Sequence, residues 1–328
     1  MISICLFGAG RIGRIHAANV AARDDVELRY VVDVDQASAA ACAAQHGAAV
    51  SSVEQALNDH TLDAVIIGSP TDTHADLISR SAQAGKAIFC EKPIDLDIGR
   101  VDACLAVVEQ CGVPLALGFN RRYDPSFASL KARLDGGSIG KVEMVTITSR
   151  DPAPPPAEYA ARSGGIFRDM MIHDLDMARW LLPEEPVEVF ATASCLVDPA
   201  IGAAGDVDTA MVVMRTAGGI LCHISNSRRA VYGYDQRIEV FGSGGMLRAE
   251  NERNDTVQHF SADGTLISRV PDFFIDRYEQ AYRRELNDFV DMLTNDTTPA
   301  VSGKDGRQAL VLADAAQASL ERGAIVRL

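Results

Sequence analysis

The sequence predicts an α/β protein made of a doubly wound parallel sheet followed by a C-terminal α/β domain with an open, mainly antiparallel sheet. The first part is predicted because short apolar runs alternate with helix-like stretches through the first third of the chain. The second part is predicted because this alternation gives way to clustered strand patterns after Phe119. We therefore expect one domain over residues 1–120 and a second over residues 121–328.

Five short apolar runs in the first part have the composition of buried strands. They are Ile2 to Phe7, Glu27 to Val34, Asp63 to Gly68, Ala87 to Cys90 and Leu115 to Phe119. Four helix-like stretches lie between them, namely Ile12 to Arg23, Gln36 to His46, His74 to Ala84 and Ile98 to Cys111. Runs as continuously apolar as Val65-Ile66-Ile67 are typical of parallel strands that helices cover on both faces.

The second part carries five strand patterns, and in several of them polar and apolar residues alternate, as expected of a sheet with one open face. These are Val142 to Thr148, Val187 to Ala193, Thr209 to Met214, Ile220 to Ser225 and Gln236 to Phe241. The stretch Phe167 to Leu182 is predicted as one helix that Pro183 ends. Two long helices, roughly Phe273 to Leu293 and Lys304 to Arg322, close the chain and can pack back on the first domain.

Composition excludes several classes of protein. The 328 residues are 47% apolar and 23% charged, which is ordinary for a globular chain. A net charge of −14 without a basic tract disfavours a nucleic-acid partner. The first residues show no basic segment before a long apolar one, and no apolar run is long enough to cross a bilayer, so we expect no signal peptide and no membrane partner. The seven cysteines never form Cys-x-x-Cys, which favours reduced thiols in a cytoplasmic protein over disulfides or a zinc knuckle.

A glycine-rich loop joins the first predicted strand to the first helix. It consists of Gly8, Ala9, Gly10, Arg11, Ile12 and Gly13. In a dinucleotide-binding Rossmann fold these glycines permit a tight turn, the approach of a pyrophosphate and close packing of helix and strand. The helix N-terminus then offers unpaired N–H groups to the phosphates. The alternative is a tight turn with no ligand.

An acidic residue at the end of the second predicted strand supports the dinucleotide reading. Asp33 lies twenty residues beyond Gly13, where a carboxylate can accept hydrogen bonds from ribose hydroxyls. A carboxylate there repels a 2′-phosphate, and none of the residues 33–35 supplies a cation. The expected cofactor is therefore NAD rather than NADP.

Two further loops follow strands whose carboxyl ends should face the same crevice. One contains Ser69, Thr71 and His74, and the other contains Glu91 and Lys92. We expect these five residues to line the cofactor site together with the glycine loop. For Lys92 the alternative is a solvated surface cation.

Asp169 precedes His173 by four residues, a spacing that brings two side chains together on a helix. Such a pair can accept an alcohol proton, with the carboxylate orienting the imidazole. Three alternatives stay open: Asp169 favours a helix N-terminus, the Asp-His-Asp set is a solvated polar face, or His173, Asp174 and Asp176 bind a metal. The metal alternative is the weaker, because no second histidine has a ligand-like spacing, and we expect no metal.

Three motifs together resemble the Gfo/Idh/MocA oxidoreductases. They are the glycine loop, Glu91-Lys92-Pro93 and Asp169-x-x-x-His173. Three longer stretches resemble more narrowly the bacterial inositol dehydrogenases of that family, namely Gly118 to Asp124, Gly164 to Asp174 and Tyr232 to Asp235. The resemblance implies a Rossmann domain followed by an α/β domain whose open sheet often serves tetramer assembly.

The resemblance also implies a reaction and its residues. The implied catalytic residues are Lys92, Asp169 and His173, and the implied polyol-binding residues are Asn120, Arg121, Asp151, Asp169, His173 and Tyr234. The expected reaction is NAD-dependent oxidation of a cyclic polyol in inositol catabolism, with myo-inositol going to 2-keto-myo-inositol (scyllo-inosose) and His173 accepting the proton. The alternatives are another inositol isomer or an aldose as substrate, an NAD-binding sensor without catalysis, and a metal-dependent lyase or hydrolase.

Overall fold

The computed structural model describes every residue from Met1 to Leu328. It divides the chain into two compact units. The first contains residues 1–123 and 281–310, and the second contains residues 124–280 and 311–328. None of the helices combines the length and the apolar character needed to cross a bilayer.

The first unit is built on a six-stranded parallel sheet. Its strands are β1 (Ile2–Phe7), β2 (Val26–Val32), β3 (Ala49–Val50), β4 (Ala64–Ile67), β5 (Ala87–Glu91) and β6 (Leu115–Gly118), in the spatial order β3-β2-β1-β4-β5-β6. Its helices are α1 (Arg11–Ala21), α2 (Gln36–His46), α3 (Val53–Asn58), α4 (His74–Gln83) and α5 (Ile98–Cys111). The strand order reverses at β1, which confirms the predicted doubly wound sheet.

Two short elements of the first unit, one strand and one helix, were not predicted from the sequence pattern. Strand β3 has only two residues, and both are exposed, so it leaves no apolar run. Helix α3 has six residues, too few for a periodic stripe. Its sequence signal is local instead: Ser52 and Gln55 form a capping box that begins the helix.

The second unit is built on a seven-stranded mixed sheet. Its strands are β7 (Val142–Arg150), β8 (Pro186–Ser194), β9 (Thr209–Thr216), β10 (Leu221–Ser227), β11 (Asp235–Gly242), β12 (Gly245–Ala249) and β15 (Val326–Arg327). The strands β13 (Gln258–Ser261) and β14 (Gly264–Ile267) form a separate hairpin. The order is β12-β11-β7-β10-β9-β8-β15, and only β7 and β10 run parallel. The predicted open, mainly antiparallel sheet is therefore confirmed.

Helices complete the second unit and close the chain. They are α6 (Pro125–Asp135), α7 (Ala157–Ser163), α8 (Ile172–Leu181), α9 (Pro199–Ala203), α10 (Phe274–Asn295) and α11 (Gly303–Arg322). Helix α10 belongs to the second unit up to Gln280 and to the first unit from Ala281 onward. There Phe289 and Val290 are fully buried in the core that contains Ile4 and Leu6 of β1.

Burial alternates along the strands of the second sheet, so one face is covered and the other is open. In β9 the side chains of Ala210, Val212 and Met214 are buried, whereas Met211 and Val213 are exposed. This is the pattern expected of a sheet that packs on helices through one face only.

The predicted single helix over Phe167–Leu182 is wrong at its N-terminal end. Residues Ile166–Met170 form a π-helical turn, in which the N–H of Met171 donates to the carbonyl of Ile166 over 2.8 Å, and α8 begins only at Ile172. Apolar spacing cannot reveal such an extra residue in a turn. Asp169 therefore lies on the π-helical turn and His173 at the start of α8, and π-helical turns occur frequently at functional sites.

Candidate active site

The glycine loop of the first unit has the close approaches that its sequence demands. Gly8 has φ +99°, and a Cβ there would lie 2.5 Å from the backbone nitrogen of Ser69. A Cβ on Gly13 would lie 1.8 Å from the carbonyl oxygen of Gly8. At Gly10, by contrast, a Cβ would meet nothing within 4 Å. The loop therefore leaves open space beside the N-terminus of α1, as a pyrophosphate requires.

Asp33 lies beside this loop and is fixed by backbone groups. The N–H of Ala9 donates to Asp33 Oδ2 over 2.6 Å, and the N–H of Asp35 donates to Oδ1 over 2.8 Å. Each carboxylate oxygen has a second lone pair, so the side chain keeps acceptor capacity for ribose hydroxyls. Asp35 has another role, because its side chain caps α2 by accepting from the N–H of Ala37.

The loops that follow β4 and β5 are tied together by His74. Its ring nitrogens lie 2.7 Å from the carbonyl oxygen of Pro93 and 2.8 Å from that of Ser69, and the side chain is buried. The Ser69 hydroxyl lies 2.6 Å from the hydroxyl of Thr73, and Thr71 begins the short 3₁₀ turn between them. Both polar atoms of His74 are thus engaged with the loops, so its place in the site is to hold them in position.

Two more predicted residues follow neighbouring strands of this sheet. Lys92 comes directly after β5, and Asn120 comes two residues after β6, whose Gly118 pairs with Glu91. Asn120 and Arg121 are both buried, and Asn120 Oδ1 has no hydrogen-bond partner. Carboxyl ends of adjacent parallel strands are where open α/β sheets bind ligands.

Glu91 has a different environment from the one expected. Its Oε1 lies 2.8 Å from Nε2 of His16, a fully buried histidine of α1. The carboxylate is therefore engaged with the interior of the unit.

In the second unit, strand register brings three site residues to one end of the sheet. Arg150, the last residue of β7, pairs with Ser227 of β10 and with Asp235 of β11. Asp151, Arg228 and Tyr234 are the next residues on these three neighbouring strands. A hydrogen bond from the N–H of Asp151 to the carbonyl of Ser227, 2.9 Å long, continues the pairing.

Asp169 is held at this end of the sheet by side chains that flank it. Tyr159 donates its hydroxyl proton to Asp169 Oδ1 over 3.0 Å, and Arg228 Nη2 donates to Oδ2 over 3.4 Å. Arg228 Nη2 also lies 3.8 Å from Asp206 Oδ2, and Asp206 Oδ1 accepts from the N–H of Ile166 at the start of the π-helical turn. The turn that carries Asp169 is thus anchored at both of its ends.

Burial and one hydrogen bond bear on two alternatives for the helix of His173, the solvated polar face and the metal site. Asp174 and Asp176 have exposed fractions of 0% and 1%, so the alternative of a solvated polar face is wrong. Asp174 Oδ2 accepts a 2.9 Å hydrogen bond from the side-chain amide of Asn226. A carboxylate committed to an amide gives no support to the metal alternative.

Three residues that lie beside predicted site residues were not identified from the sequence. Arg228 lies beside Asp169, and His16 and Glu285 lie beside Glu91. Arg228 follows a strand and belongs to no periodic pattern. His16 and Glu285 lie on the buried faces of α1 and α10, among apolar residues three or four positions away. Helical periodicity could have identified both as buried polar groups.

Comparison with known proteins assigns a family to both parts of the chain. Residues 2–119 match an oxidoreductase family described by its NAD-binding Rossmann fold. Residues 127–248 match the GFO/IDH/MocA C-terminal domain. The first match agrees with the open glycine loop and with the position of Asp33.

Similar proteins extend over the whole chain. The inositol 2-dehydrogenase of Rhizobium meliloti strain 1021 is 54% identical over 96% of both chains. The myo-inositol 2-dehydrogenase of Thermotoga maritima is 47% identical over 99% of this chain and 98% of its own. The structure of Lactobacillus casei scyllo-inositol dehydrogenase with bound NAD(H) and scyllo-inositol is 31% identical, with a TM-score of 0.93 over 100% of this chain and 99% of that one. The chain is a member of the Gfo/Idh/MocA family of oxidoreductases and carries its NAD-binding Rossmann domain.

Proposed function

We propose that this protein is an NAD-dependent inositol 2-dehydrogenase that oxidises myo-inositol to 2-keto-myo-inositol in inositol catabolism. The observation that carries the proposal is the anchored Asp169 at the sheet end that also holds Asp151 and Tyr234, in a chain 54% identical to an inositol 2-dehydrogenase. A neutral polyol needs several polar partners, and this end of the sheet supplies them.

The cofactor would be held by residues of the first unit. The loop Gly8–Gly13 leaves room for the pyrophosphate, and Asp33 would accept hydrogen bonds from a ribose. Ser69, Thr71 and Lys92 would complete the site, with His74 fixing the two loops and Glu91 supporting Lys92. When bound, NAD supplies the hydride acceptor for the oxidation.

The chain itself supplies orientation and proton transfer. His173 would accept the proton of the reacting hydroxyl, and Asp169 would orient the imidazole and stabilise its charged form. Tyr159 and Arg228 keep the Asp169 carboxylate in one orientation. Lys92 would hydrogen-bond the reacting oxygen and favour loss of its proton. Asn120, Arg121, Asp151 and Tyr234 would bind the other hydroxyls, and the buried Oδ1 of Asn120 is an available acceptor.

The test is a direct assay of the purified protein. NAD and myo-inositol are mixed with it and the near-ultraviolet absorbance of NADH is followed, with NADP replacing NAD in a parallel sample. We expect NADH to form with myo-inositol and a higher kcat/KM for NAD than for NADP. A protein that binds NAD but oxidises no polyol would contradict the proposal and support the sensor alternative.

A second candidate substrate is scyllo-inositol. It is favoured by the bound scyllo-inositol in the Lactobacillus casei structure that shares this fold. The two isomers differ by one inverted hydroxyl, so they would share most of the proposed partners. The ratio of kcat/KM for the two isomers, with glucose as a third sample, decides between them.

We also propose that four copies assemble through the open face of the second sheet. The pairing of β12, β11, β7 and β10 places four exposed apolar side chains in one row across the strands, Met246, Phe241, Met144 and Leu221. Exposed apolar patches of this kind mark interaction surfaces. Light scattering should show a tetramer that Phe241→Glu dissociates and Leu196→Ser, a change at an exposed leucine elsewhere, leaves intact. A monomeric wild type would contradict the assembly.

A cytoplasmic location is part of the same proposal. Five of the seven cysteines are buried as free thiols, which suits a reducing compartment. Fractionation of the producing cell is the direct check.

A further inference from the structure

Three ionisable side chains meet in the interior of the first unit. They are His16 on α1, Glu91 at the end of β5 and Glu285 on α10, and one ligand-type atom from each lies within 4.8 Å of the others. The exposed fractions are 0% and 12% for the side chains of His16 and Glu91, and 1% for Glu285. The proposed reaction uses none of the three directly, but Glu91 immediately precedes Lys92.

The contacts of His16 define where its proton lies. Its Nε2 is 2.8 Å from Glu91 Oε1, so the N–H at Nε2 donates to the carboxylate. Its Nδ1 is buried without a hydrogen-bond partner, and the ring packs edge-on against Phe89 and Tyr282 at 5.1 and 6.0 Å. The bond to Glu91 is therefore the hydrogen bond that fixes the ring of His16.

Glu285 has no such donor. Both of its carboxyl oxygens are buried without a hydrogen-bond partner. An ionised carboxylate in this position would be desolvated, unpaired and next to the charge of Glu91. Burial, and then the charge of Glu91, raise the pKa of Glu285 well above its ordinary value. The phenol of Tyr123 donates to Asp288 Oδ2 over 2.8 Å, and burial followed by the charge of Asp288 raises the pKa of that phenol.

Either a proton or a cation could relieve the two carboxyl groups. A metal ion would need the lone pair of His16 Nε2 and would have to displace the proton that this nitrogen donates to Glu91. A proton on Glu285 removes the unpaired charge and makes the carboxyl group a donor within 4.8 Å of a Glu91 oxygen. The contacts therefore favour the proton.

We propose that Glu285 is a neutral carboxylic acid that shares its proton with Glu91, and that His16, Glu91 and Glu285 together position Lys92. The inference about Lys92 rests on the proposed function. The Glu91 carboxylate would then accept from two groups, the N–H of His16 and the acid proton of Glu285, and these two bonds would fix its orientation. Since Lys92 is the next residue, the backbone from which its side chain extends is fixed with it. His16 and Glu285 are thus positioning residues.

Paired variants of Glu285 test the positioning. Glu285→Gln keeps the size of the side chain and a neutral donor, so it should retain kcat within about twofold. Glu285→Leu removes the donor and should lower kcat roughly tenfold to a hundredfold while KM for NAD stays nearly constant, the scale for a misplaced catalytic group. Equal loss in both variants, or no loss in Glu285→Leu, would overturn the positioning role.

Infrared spectroscopy tests the proton without relying on activity. Wild type at neutral pH should show the C=O stretch of a protonated carboxylic acid, shifted in D₂O, and Glu285→Gln should lose this band. Lys92→Met should keep this band although it lacks a proposed catalytic residue. The protonation of Glu285 can therefore be tested even if the dehydrogenase assay fails. Absence of the band in wild type would overturn the proposal. So would a stoichiometric divalent metal, found by elemental analysis of the purified protein and lost from Glu285→Gln, because it would show a metal site instead.

Discussion

Arg228 and Asp169 form a largely buried ion pair at the end of the second sheet. The guanidinium Nη2 lies 3.4 Å from Asp169 Oδ2, and the Arg228 side chain has an exposed fraction of 2%. The same nitrogen lies 3.8 Å from Asp206 Oδ2. One arginine thus links the π-helical turn that carries Asp169 to the strand end that carries Asp151 and Tyr234.

Replacing Arg228 should impair both folding stability and turnover. Arg228→Lys keeps the charge, but its ammonium group ends one bond short of the Nη2 position that lies near both carboxylates, so we expect kcat to fall roughly tenfold or more. Arg228→Met should also lower the free energy of unfolding by about 3 kcal/mol, because it removes the cation that lies between two largely buried carboxylates. Steady-state kinetics and thermal unfolding measure the two effects. Arg229→Lys, at the adjacent exposed arginine, is the matched control. A normal kcat in Arg228→Lys would show that Asp169 needs no such anchor.

Removal of the His173 imidazole should abolish most of the turnover. His173→Ala should lower kcat roughly a hundredfold or more, the usual contribution of a positioned acid–base group, and leave the Kd for NAD nearly unchanged. Single-turnover kinetics and NAD titration provide the two measurements. His223→Ala removes a half-buried histidine from β10 of the same unit and serves as the control. If both variants turn over at the wild-type rate, His173 is not the proton acceptor.

Loss of the Asp33 carboxylate should relax the choice between NAD and NADP. Asp33→Ser removes the negative charge that opposes a 2′-phosphate, so the ratio of kcat/KM for NAD over NADP should fall roughly tenfold or more. The affinity of the Asp33→Ser variant for NAD should fall too, because the hydrogen bond from the N–H of Ala9 to the Asp33 carboxylate is lost. The control is Asp63→Ser, which removes a similar bond from the N–H of Ser3 near the amino ends of the central strands β1 and β4. An unaltered ratio in Asp33→Ser would refute the ribose assignment.

The predictable parts of the fold are those in which the order of polar and apolar residues within one element identifies that element. Continuous apolar runs such as that of β4 identified the parallel strands, and the alternation in β9 identified a sheet with one open face. The glycine loop and Asp33 were predictable because the chemistry of a dinucleotide site requires both at a fixed place in the fold. The π-helical turn at Asp169 was not, because one extra residue in a turn leaves the apolar spacing of α8 unchanged.

Pairs joined only by tertiary packing were beyond the sequence. Arg228 and Asp169 are 59 positions apart, and the sequence around either residue does not indicate that the other is its partner. His16 and Glu285 are recognisable as polar residues on buried helix faces, but no local pattern shows that those two faces meet at Glu91. A buried polar group predicts that a partner exists, and the packing of distant elements decides which one it is.

Asp208 provides a measurable pH dependence of stability. Burial alone would raise its pKa, but the N–H groups of Leu196, Asp198 and Val197 donate to the carboxylate over 2.7 to 2.9 Å and lower the pKa to about 2. Since the folded-state pKa is below the unfolded value of 3.8, the carboxylate stabilises the fold above about pH 4 by about 2 kcal/mol.

This contribution is lost as the pH falls through 3.8 toward 2, because the proton that binds the unfolded chain opposes folding. Asp208→Asn should therefore unfold at a lower temperature than wild type at pH 7, and the difference should narrow between about pH 4 and pH 2. Thermal unfolding across this range measures it, with Asp198→Asn as the control, because the Asp198 side chain caps α9 through only one N–H, that of Ala200. A difference that stays constant down to pH 2 would show that the carboxylate of Asp208 is not the group that titrates.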